Sequence, residues 1–284
     1  MVKIREVEKN DFEDVSKFLH RSMNLKWPAK TWSSLFSYNW ECSRQHSGYI
    51  LLDSDKIVGF IGGIFSRRLI NGKWEDFLCT TSWSGLPKYR KHSIKLLMEL
   101  LRTKSVHFRN CGSLPELQPL LKVVFKDTLE THKTYFFSHL PFFSGGKMQI
   151  LAQKEKILRI LQGEERRIYL DHIQYCNQIL LIHEQKTCLI VMKKRKFKLG
   201  VSYGEILYSS DYKFLIDYIN IINFYCLLRY RFLFLTMDKR FVKYNPLFSI
   251  NVKMKSSYML KTLHSEIKKE DIDNLYTELV LLPF

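Results

Sequence analysis

The 284-residue sequence predicts an α/β fold, a mixed and mostly antiparallel sheet with flanking helices, arranged as two tandem modules. Three observations predict it. Along residues 2–140 the apolar spacing switches between the strand period of about 2 and the helix period of about 3.6, in the order β-α-α-β-β-β-α-β-α-β. Residues 150–238 repeat the later part of that order as helix, three strands, helix, strand. Hydrophobic residues make up 46% of the chain and aromatics 14%, enough apolar surface to core both modules and to exclude global disorder. Gly145-Gly146 marks the expected boundary, giving modules 1–146 and 147–284.

The first strand is "VKIREV", which alternates apolar and charged residues. Asn10 or Asp11 is placed to cap a helix whose apolar positions Phe12, Val15, Phe18, Leu19 and Met23 keep helical spacing. Pro28 suits the first turn of a second helix, "PAKTWSSLFSYNW". Two apolar runs around "DSDK" read as a hairpin. Asn71-Gly72 is a strong tight-turn signal that leads into the strand "KWEDFLCTTSWSG". A helix over 88–103, the strand "SVHFRN", the short helix "SLPELQPLLKVVF" and the strand "THKTYFFSHL" complete the first half. The second half opens with the charged helix "QKEKILRILQGEERRIYLDHIQ". Strands "QILLIHEQ", "TCLIVMKK" and "GVSYGEILYS" follow, then a helix capped by Asp211 and the strand "RFLFLTMD".

The net charge is +17, which points to an anionic partner: a nucleotide-bearing cofactor, nucleic acid or an acidic membrane surface. The charge is dispersed. Residues 1–140 carry 22 Lys and Arg against 14 Asp and Glu, and residues 141–284 carry 23 against 14. A nucleic-acid binder more often concentrates it in a stripe. The six cysteines form no C-x-x-C pair and no zinc-finger spacing with histidine, so no metal is expected. The N-terminus lacks the apolar core of a signal peptide, and no apolar run reaches the ~18 residues of a membrane span. A cytoplasmic protein with reduced thiols is the expectation.

One stretch carries the functional signal: "WSGLPKYRKHSIKLLMELL" at 83–101. A strand ends, the chain turns through Gly85 and Pro87, and a helix begins with Lys88, Arg90, Lys91 and His92 in its first turn. Cations oppose the positive end of a helix macrodipole. They become favourable there once an anion such as a phosphate is seated on the free helix N–H groups.

In that setting Arg90-Lys91-His92-Ser93-Ile94-Lys95 resembles the Arg/Gln-x-x-Gly-x-Gly/Ala motif of the GNAT superfamily of acyl-CoA-dependent acyltransferases, and "LPKYR" resembles the run that precedes it. Ser93 and Lys95 depart from the motif glycines. The resemblance covers about residues 2–140 and implies a GNAT-like fold with an acyl-CoA pyrophosphate at the helix start. It places Ser84, Gly85 and Leu86 along the pantetheine arm and Asn110 near the cofactor. Ser93 would add a hydroxyl donor to the phosphate seat. The family's tyrosine acid is missing, since Leu120 stands near its place. Glu41 and His139 are the candidate general bases.

The second half resembles a degenerate second GNAT-like module, with "DIDNLYTELVLL" similar to the C-terminal strand region of two-module acyltransferases of cell-envelope gene sets. It lacks the phosphate motif, and Asp211 and Asp217 would repel a phosphate. Its expected role is to shape the acceptor site or a homodimer surface. Tyr203, Tyr208, Tyr258 and Tyr276 are candidates to stack on a sugar or base, or to pack. The implied activity is transfer of an acyl group, acetyl first, from acyl-CoA to an amine or hydroxyl of a small acceptor, such as an amino-sugar or nucleotide-sugar precursor of an envelope polysaccharide. A Fem-type aminoacyl-tRNA-dependent transferase and a non-catalytic binding protein are the alternatives.

Overall fold

The computed structural model describes residues 2–43, 45–112, 115–137, 148–197 and 200–283. The fold is mixed α/β and mostly antiparallel, and the chain forms two compact units. The first comprises Met1–Leu129, Ser256–Asp271 and Tyr276–Leu282; the second comprises Glu130–Lys255, Ile272–Leu275 and Pro283–Phe284. Among the described residues no helix is long and apolar enough to cross a membrane.

In the first unit the strands run in the order β1 (Val2–Glu6), β2 (Gly48–Asp53), β3 (Lys56–Ile70), β4 (Lys73–Gly85), β5 (His107–Asn110) and the end of β12 (Ser249–Lys261). Both hairpin turns follow from their residues. Ser54 and Asp55 take φ of 48° and 65° between Asp53 and Lys56, and Asn71 and Gly72 take 49° and 78° between Ile70 and Lys73. Two successive positive φ values define the turn whose twist matches that of paired strands.

The helices α1 (Phe12–Ser22), α2 (Ala29–Trp32), α3 (Arg90–Leu101) and α4 (Gln118–Phe125) accompany this sheet. Leu96, Leu97 and Leu100 of α3 and Leu121 and Phe125 of α4 are buried with Leu51, Ile61, Phe65, Leu78 and Phe108 of the strands in one core. The expected second helix is shorter than its sequence suggested: after Trp32 it tightens into a 3-10 turn, Ser33–Leu35.

The second unit orders its strands as β6 (Asp127–Phe136), β11 (Leu235–Asp238), β10 (Ser202–Ser209), β9 (Lys186–Lys196), β8 (Asn177–His183) and β7 (Gln149–Leu151). The helix expected over 153–174 is two, α5 (Lys154–Ile160) and α6 (Gly163–His172). They are divided where Leu161 and Gln162 are extended and Gly163 takes a φ of 51°. Asp211 caps α7 (Tyr212–Asp217) as expected, its Oδ1 accepting from the Phe214 N–H at 2.9 Å. α8 (Ile219–Tyr230) ends at Arg231 in the left-handed conformation. Leu215 of α7 and Ile219, Ile222 and Cys226 of α8 are buried in the same core as Ile190, Ile206 and Phe232.

Three expectations change. The boundary at 146/147 is not where the units part, because the chain passes between them within β6 and returns within β12. β12 is a further strand that the sequence reading did not include: Ile250, Val252 and Met254 alternate with Ser249, Asn251, Lys253 and Lys255, although both faces of this half are solvent-accessible. The "DIDNLYTELVLL" region is not a strand; Thr277 caps the four-residue helix α9 (Glu278–Leu281).

A buried ion cluster sits inside the second unit. The Arg195 Nε donates to Glu205 Oε2 at 2.7 Å, and Lys133 pairs with the other oxygen. Burial alone pushes this carboxyl upward, but the Lys133 and Arg195 charges outweigh it and hold it at about 2.

Candidate functional site

The site is built on a divergence of two strands in the first unit. β4 and β5 pair in parallel from Phe77–His107 to Thr80–Asn110, and the pairing stops there. β4 continues to Gly85 alongside β3 only. Beyond Thr80 it also bulges: the stretch from Thr81 to Ser84 on β4 faces the shorter stretch from Phe60 to Gly62 on β3, and Ser82 takes a φ of 52°. A bulge re-aims a strand and ends pairing. Gly62 permits it, since a Cβ there would stand 2.7 Å from the Thr81 methyl.

The divergence opens a groove of about 650 Å³ lined by Trp83, Ser84 and Gly85 of β4, Arg90, Ser93 and Ile94 of α3, Glu116, Leu117 and Leu120 before and on α4, and Ser22 of α1. Gly85 sets its floor, because a Cβ there would lie 3.1 Å from the Ser93 Cβ. The Trp83 indole donates to the Ser93 carbonyl at 3.1 Å, and the Ser84 and Ser22 hydroxyls lie 3.1 Å apart. Tyr89 fixes the entry turn by donating its hydroxyl to Asp53 at 2.6 Å.

Five of the expected cofactor residues therefore share one groove: Ser84, Gly85, Arg90, Ser93 and Ile94. Leu86 lines a neighbouring depression with Arg21 and Lys56. Lys91, His92 and Lys95 are exposed on α3 and do not line the groove. Lys95, where the motif prefers a small residue, swings clear. The apolar spacing of this helix predicts a buried face of Ile94, Leu97 and Leu101, whereas the buried face of α3 is Ser93, Leu96, Leu97 and Leu100. That shift turns Ile94 toward the groove. Ser93 does not offer the expected free hydroxyl, because its Oγ donates to the Arg90 carbonyl one turn back at 2.7 Å. The 3-10 turn Pro87–Tyr89 likewise uses the Tyr89 and Arg90 amides, which donate to the Leu86 and Pro87 carbonyls.

Asn110 is buried at the closed end of the divergence, its Nδ2 donating to the Thr80 hydroxyl at 2.8 Å. Glu41 is exposed and lies off the groove lining. His139 falls outside the described residues. Tyr258 and Tyr276 are core residues, and Tyr203 stacks on Phe234 with ring centroids 4.9 Å apart.

Two carboxylates at the site escaped the sequence reading. Glu116 lies in the 3-10 turn Pro115–Leu117 that leads into α4. Glu278, 197 residues from its partner, accepts a hydrogen bond from the Thr81 hydroxyl and is buried. Its Oε1 also stands beside Gly112, 3.5 Å from where a Cβ would be. Thr81 is the first residue of β4 past the last pair, and Gly112 is two residues past the last pair on β5. Glu278 therefore fills the apex where the strands part.

The second unit has a similar divergence that its own chain fills. β10 and β11 pair in parallel only at Gly204–Leu235 and Glu205–Thr236. Beyond that, the Asn274 N–H donates to the Leu207 carbonyl at 3.0 Å, and the Asn274 Nδ2 donates to Asp238 Oδ2 at 2.7 Å. Arg240 reaches the same Asp238 oxygen at 3.2 Å. Residues Ile272–Leu275 thus lie across both strands where they separate.

One group among the described residues brings three metal-ligating atoms within 4.8 Å of one another: Glu75, His107 and His264. The His107 Nδ1 accepts the Leu263 N–H at 3.1 Å, so the neutral ring carries its proton on Nε2 and donates it to Glu75 at 3.0 Å. Burial lowers the His107 pKa despite the carboxylate, which keeps that tautomer neutral. A metal-bound histidine instead donates from its other nitrogen. The trio is better suited to tying residues 263–264 to β4 and β5 than to holding an ion.

No protein-family model matches the sequence, and no curated protein matches it. Solved structures do. A GCN5-related N-acetyltransferase from Anabaena variabilis superposes with a TM-score of 0.57 at 9% identity, over 92% of this chain and 72% of the other. A second, from Kribbella flavida, gives 0.54 at 10% identity over 92% and 70%. The N-myristoyltransferase of Saccharomyces cerevisiae, solved with bound myristoyl-CoA, gives 0.52 at 10% identity over 92% and 78%. At these identities the likeness is one of fold alone, shared with those structures.

Proposed function

We propose that the chain is an acyl-CoA-dependent acyltransferase whose CoA lies in the β4–β5 groove. The observation that carries the reading is the coincidence of the groove with the motif: Ser84, Gly85, Arg90, Ser93 and Ile94 line the same opened strand edge. A pantetheine arm laid along β4 past Thr80 would meet strand groups that have no β5 neighbour, as an added strand does. The pyrophosphate would sit by Arg90. Because the 3-10 entry consumes two of the turn's amides, the Arg90 guanidinium carries more of that anion's charge than the helix N–H groups do. Leu117, Leu120 and Ile94 give the arm an apolar wall.

In this reading the thioester end of the arm points to the apex. Glu278 takes the proton of the attacking amine or hydroxyl there, directly or through the Thr81 hydroxyl. Holding both reactants at the apex supplies proximity, and the proton acceptor supplies general-base catalysis. Leu120 offers no acid, and a thiolate needs less help to leave than an alkoxide. Glu41 remains a solvated carboxylate. The second unit takes no CoA, since Ile272–Leu275 cross its divergence and Asp238 and Asp211 stand near where phosphates would enter. An acetyl donor and a small amino-sugar or nucleotide-sugar acceptor are the finer part of the proposal. They rest on the sequence resemblance and on a net charge that suits an anionic acceptor.

Arg90→Glu tests the placement of the anion. Calorimetric titration with CoA should show affinity weakened about 10- to 100-fold, the cost of exchanging a charge-assisted phosphate contact for repulsion. Unchanged affinity in a folded variant removes Arg90 from the site.

A further inference from the structure

The segment that leads into β12 and forms its first half, in the second unit, is built in an unusual way. From Lys239 to Lys255 the sequence "KRFVKYNPLFSINVKMK" holds five Lys and Arg and no Asp or Glu. Phe241 and Val242 at its start are buried, but beyond them large apolar side chains face solvent: Leu247 is 74% exposed, Phe248 60% and Ile250 57%. Burying them would be the ordinary outcome for a folded loop.

The exposure is fixed by the loop's own bonds. The Ser249 hydroxyl donates to the Pro246 carbonyl at 2.7 Å, and the Phe137 N–H donates to the Phe248 carbonyl at 3.1 Å. Lys239 Nζ donates to the Val242 carbonyl and to Asn245 Oδ1, each at 3.0 Å. Phe248 sits at a φ of 60°, a region that bulky residues avoid and that persists only when the surroundings impose it. Polar groups of the segment are thus engaged by its own residues and by Phe137 of the same unit, while Leu247, Phe248 and Ile250 are presented outward. Phe137, itself 41% exposed, lies beside Phe248 in this bonding.

The charge around the apolar tip has one sign. Lys243, Lys253 and Lys255 are exposed, and none has a carboxylate partner among the described residues. Among the described residues two acids bond to this segment, and both are engaged: Asp238 is buried with Arg240 and Asn274, and Asp217 accepts the Tyr244 hydroxyl. Exposed apolar side chains with exposed lysines in one short segment are the composition of a stretch that sits at a membrane interface, its apolar side chains in the acyl boundary and its long cations reaching anionic headgroups. Nucleic acid would use the lysines and the aromatics but leave Leu247 and Ile250 without a role.

We infer that residues 239–255 form a docking surface for an anionic lipid bilayer, with Leu247, Phe248 and Ile250 inserting and Lys243, Lys253 and Lys255 neutralising headgroups. The inference is independent of the CoA reading.

The test is cosedimentation of the full chain with vesicles of phosphatidylcholine alone and of phosphatidylglycerol with phosphatidylcholine at about 3:7. The wild type should pellet with the anionic vesicles at least roughly tenfold better than with the neutral ones. Leu247→Asp with Phe248→Asp should abolish pelleting. Lys253→Glu with Lys255→Glu, a milder change on exposed positions, should weaken it by about fivefold or more per residue. Failure of the wild type to pellet overturns the inference, as does equal binding to both vesicles or retention by either variant. Light scattering decides the competing occupant: if the apolar variant converts a dimer to a monomer and the wild type ignores vesicles, the face joins two copies of the chain.

Discussion

Glu278→Gln should lower acyl transfer about 10²- to 10⁴-fold, the range that general acid–base catalysis supplies, and should leave CoA affinity nearly unchanged. Glutamine keeps the shape of the side chain and keeps an oxygen to accept the Thr81 hydroxyl, so the apex should retain its geometry. What it loses is the capacity to take a proton. Glu278 is not among the residues that line the groove around Arg90, which is why binding and turnover should separate. Thiol release from acetyl-CoA measures turnover, using whichever amine of a panel the wild type accepts, and calorimetry with CoA measures binding. Equal loss of both would mean that Glu278 holds the strands apart without handling a proton. Unchanged turnover would remove it from the mechanism, and Glu116 in the groove would be the next carboxylate to examine.

The largest expected effect on stability lies in the second unit. Glu205→Ala removes the carboxylate that pairs with both Lys133 and Arg195, and it strands a guanidinium that is almost fully buried. Breaking a buried pair on one side costs roughly 3–5 kcal/mol, because the remaining charge has lost both water and partner. Chemical denaturation followed by circular dichroism should show a midpoint lowered accordingly. Replacing Lys133, Arg195 and Glu205 together by apolar residues of similar volume should cost far less than Glu205→Ala alone. The sign with pH follows from the depressed carboxyl. Its ordinary value is 4.5 and its folded value about 2, so the unfolded chain binds the proton more readily. The contribution is complete above about pH 4.5 and is lost as pH falls toward 2. A Glu205→Ala protein no less stable than the wild type at neutral pH would contradict this account.

The first unit was legible where its physics is local. Asn71-Gly72 names its own turn, and "WSGLPKYRKHSIKLL" its strand, turn and helix; in the second unit Asp211 names its own helix cap. That local reading also reached half of the groove lining, since Ser84, Gly85, Arg90, Ser93 and Ile94 fall within eleven residues. Details inside the motif still depended on packing. Ser93 turned its hydroxyl back to Arg90, and the buried face of α3 rotated by a residue, moving Ile94 from the core to the groove. Long-range partners were not legible. Nothing near Glu278 in sequence announces Thr81, and nothing near Ile272–Leu275 announces the divergence of β10 and β11. The boundary was misplaced for the same reason. Gly145-Gly146 reads as a linker, yet residues 256–271 and 276–282 return to the first unit through pairings such as Met259 with Asn110.

The central claim is that this chain seats one CoA, in the first unit and nowhere else. Calorimetric titration of the wild-type protein with CoA tests it most directly. The account predicts one equivalent bound per chain. Two equivalents would show that Ile272–Leu275 do not close the second divergence, and no binding at all would contradict the CoA groove itself.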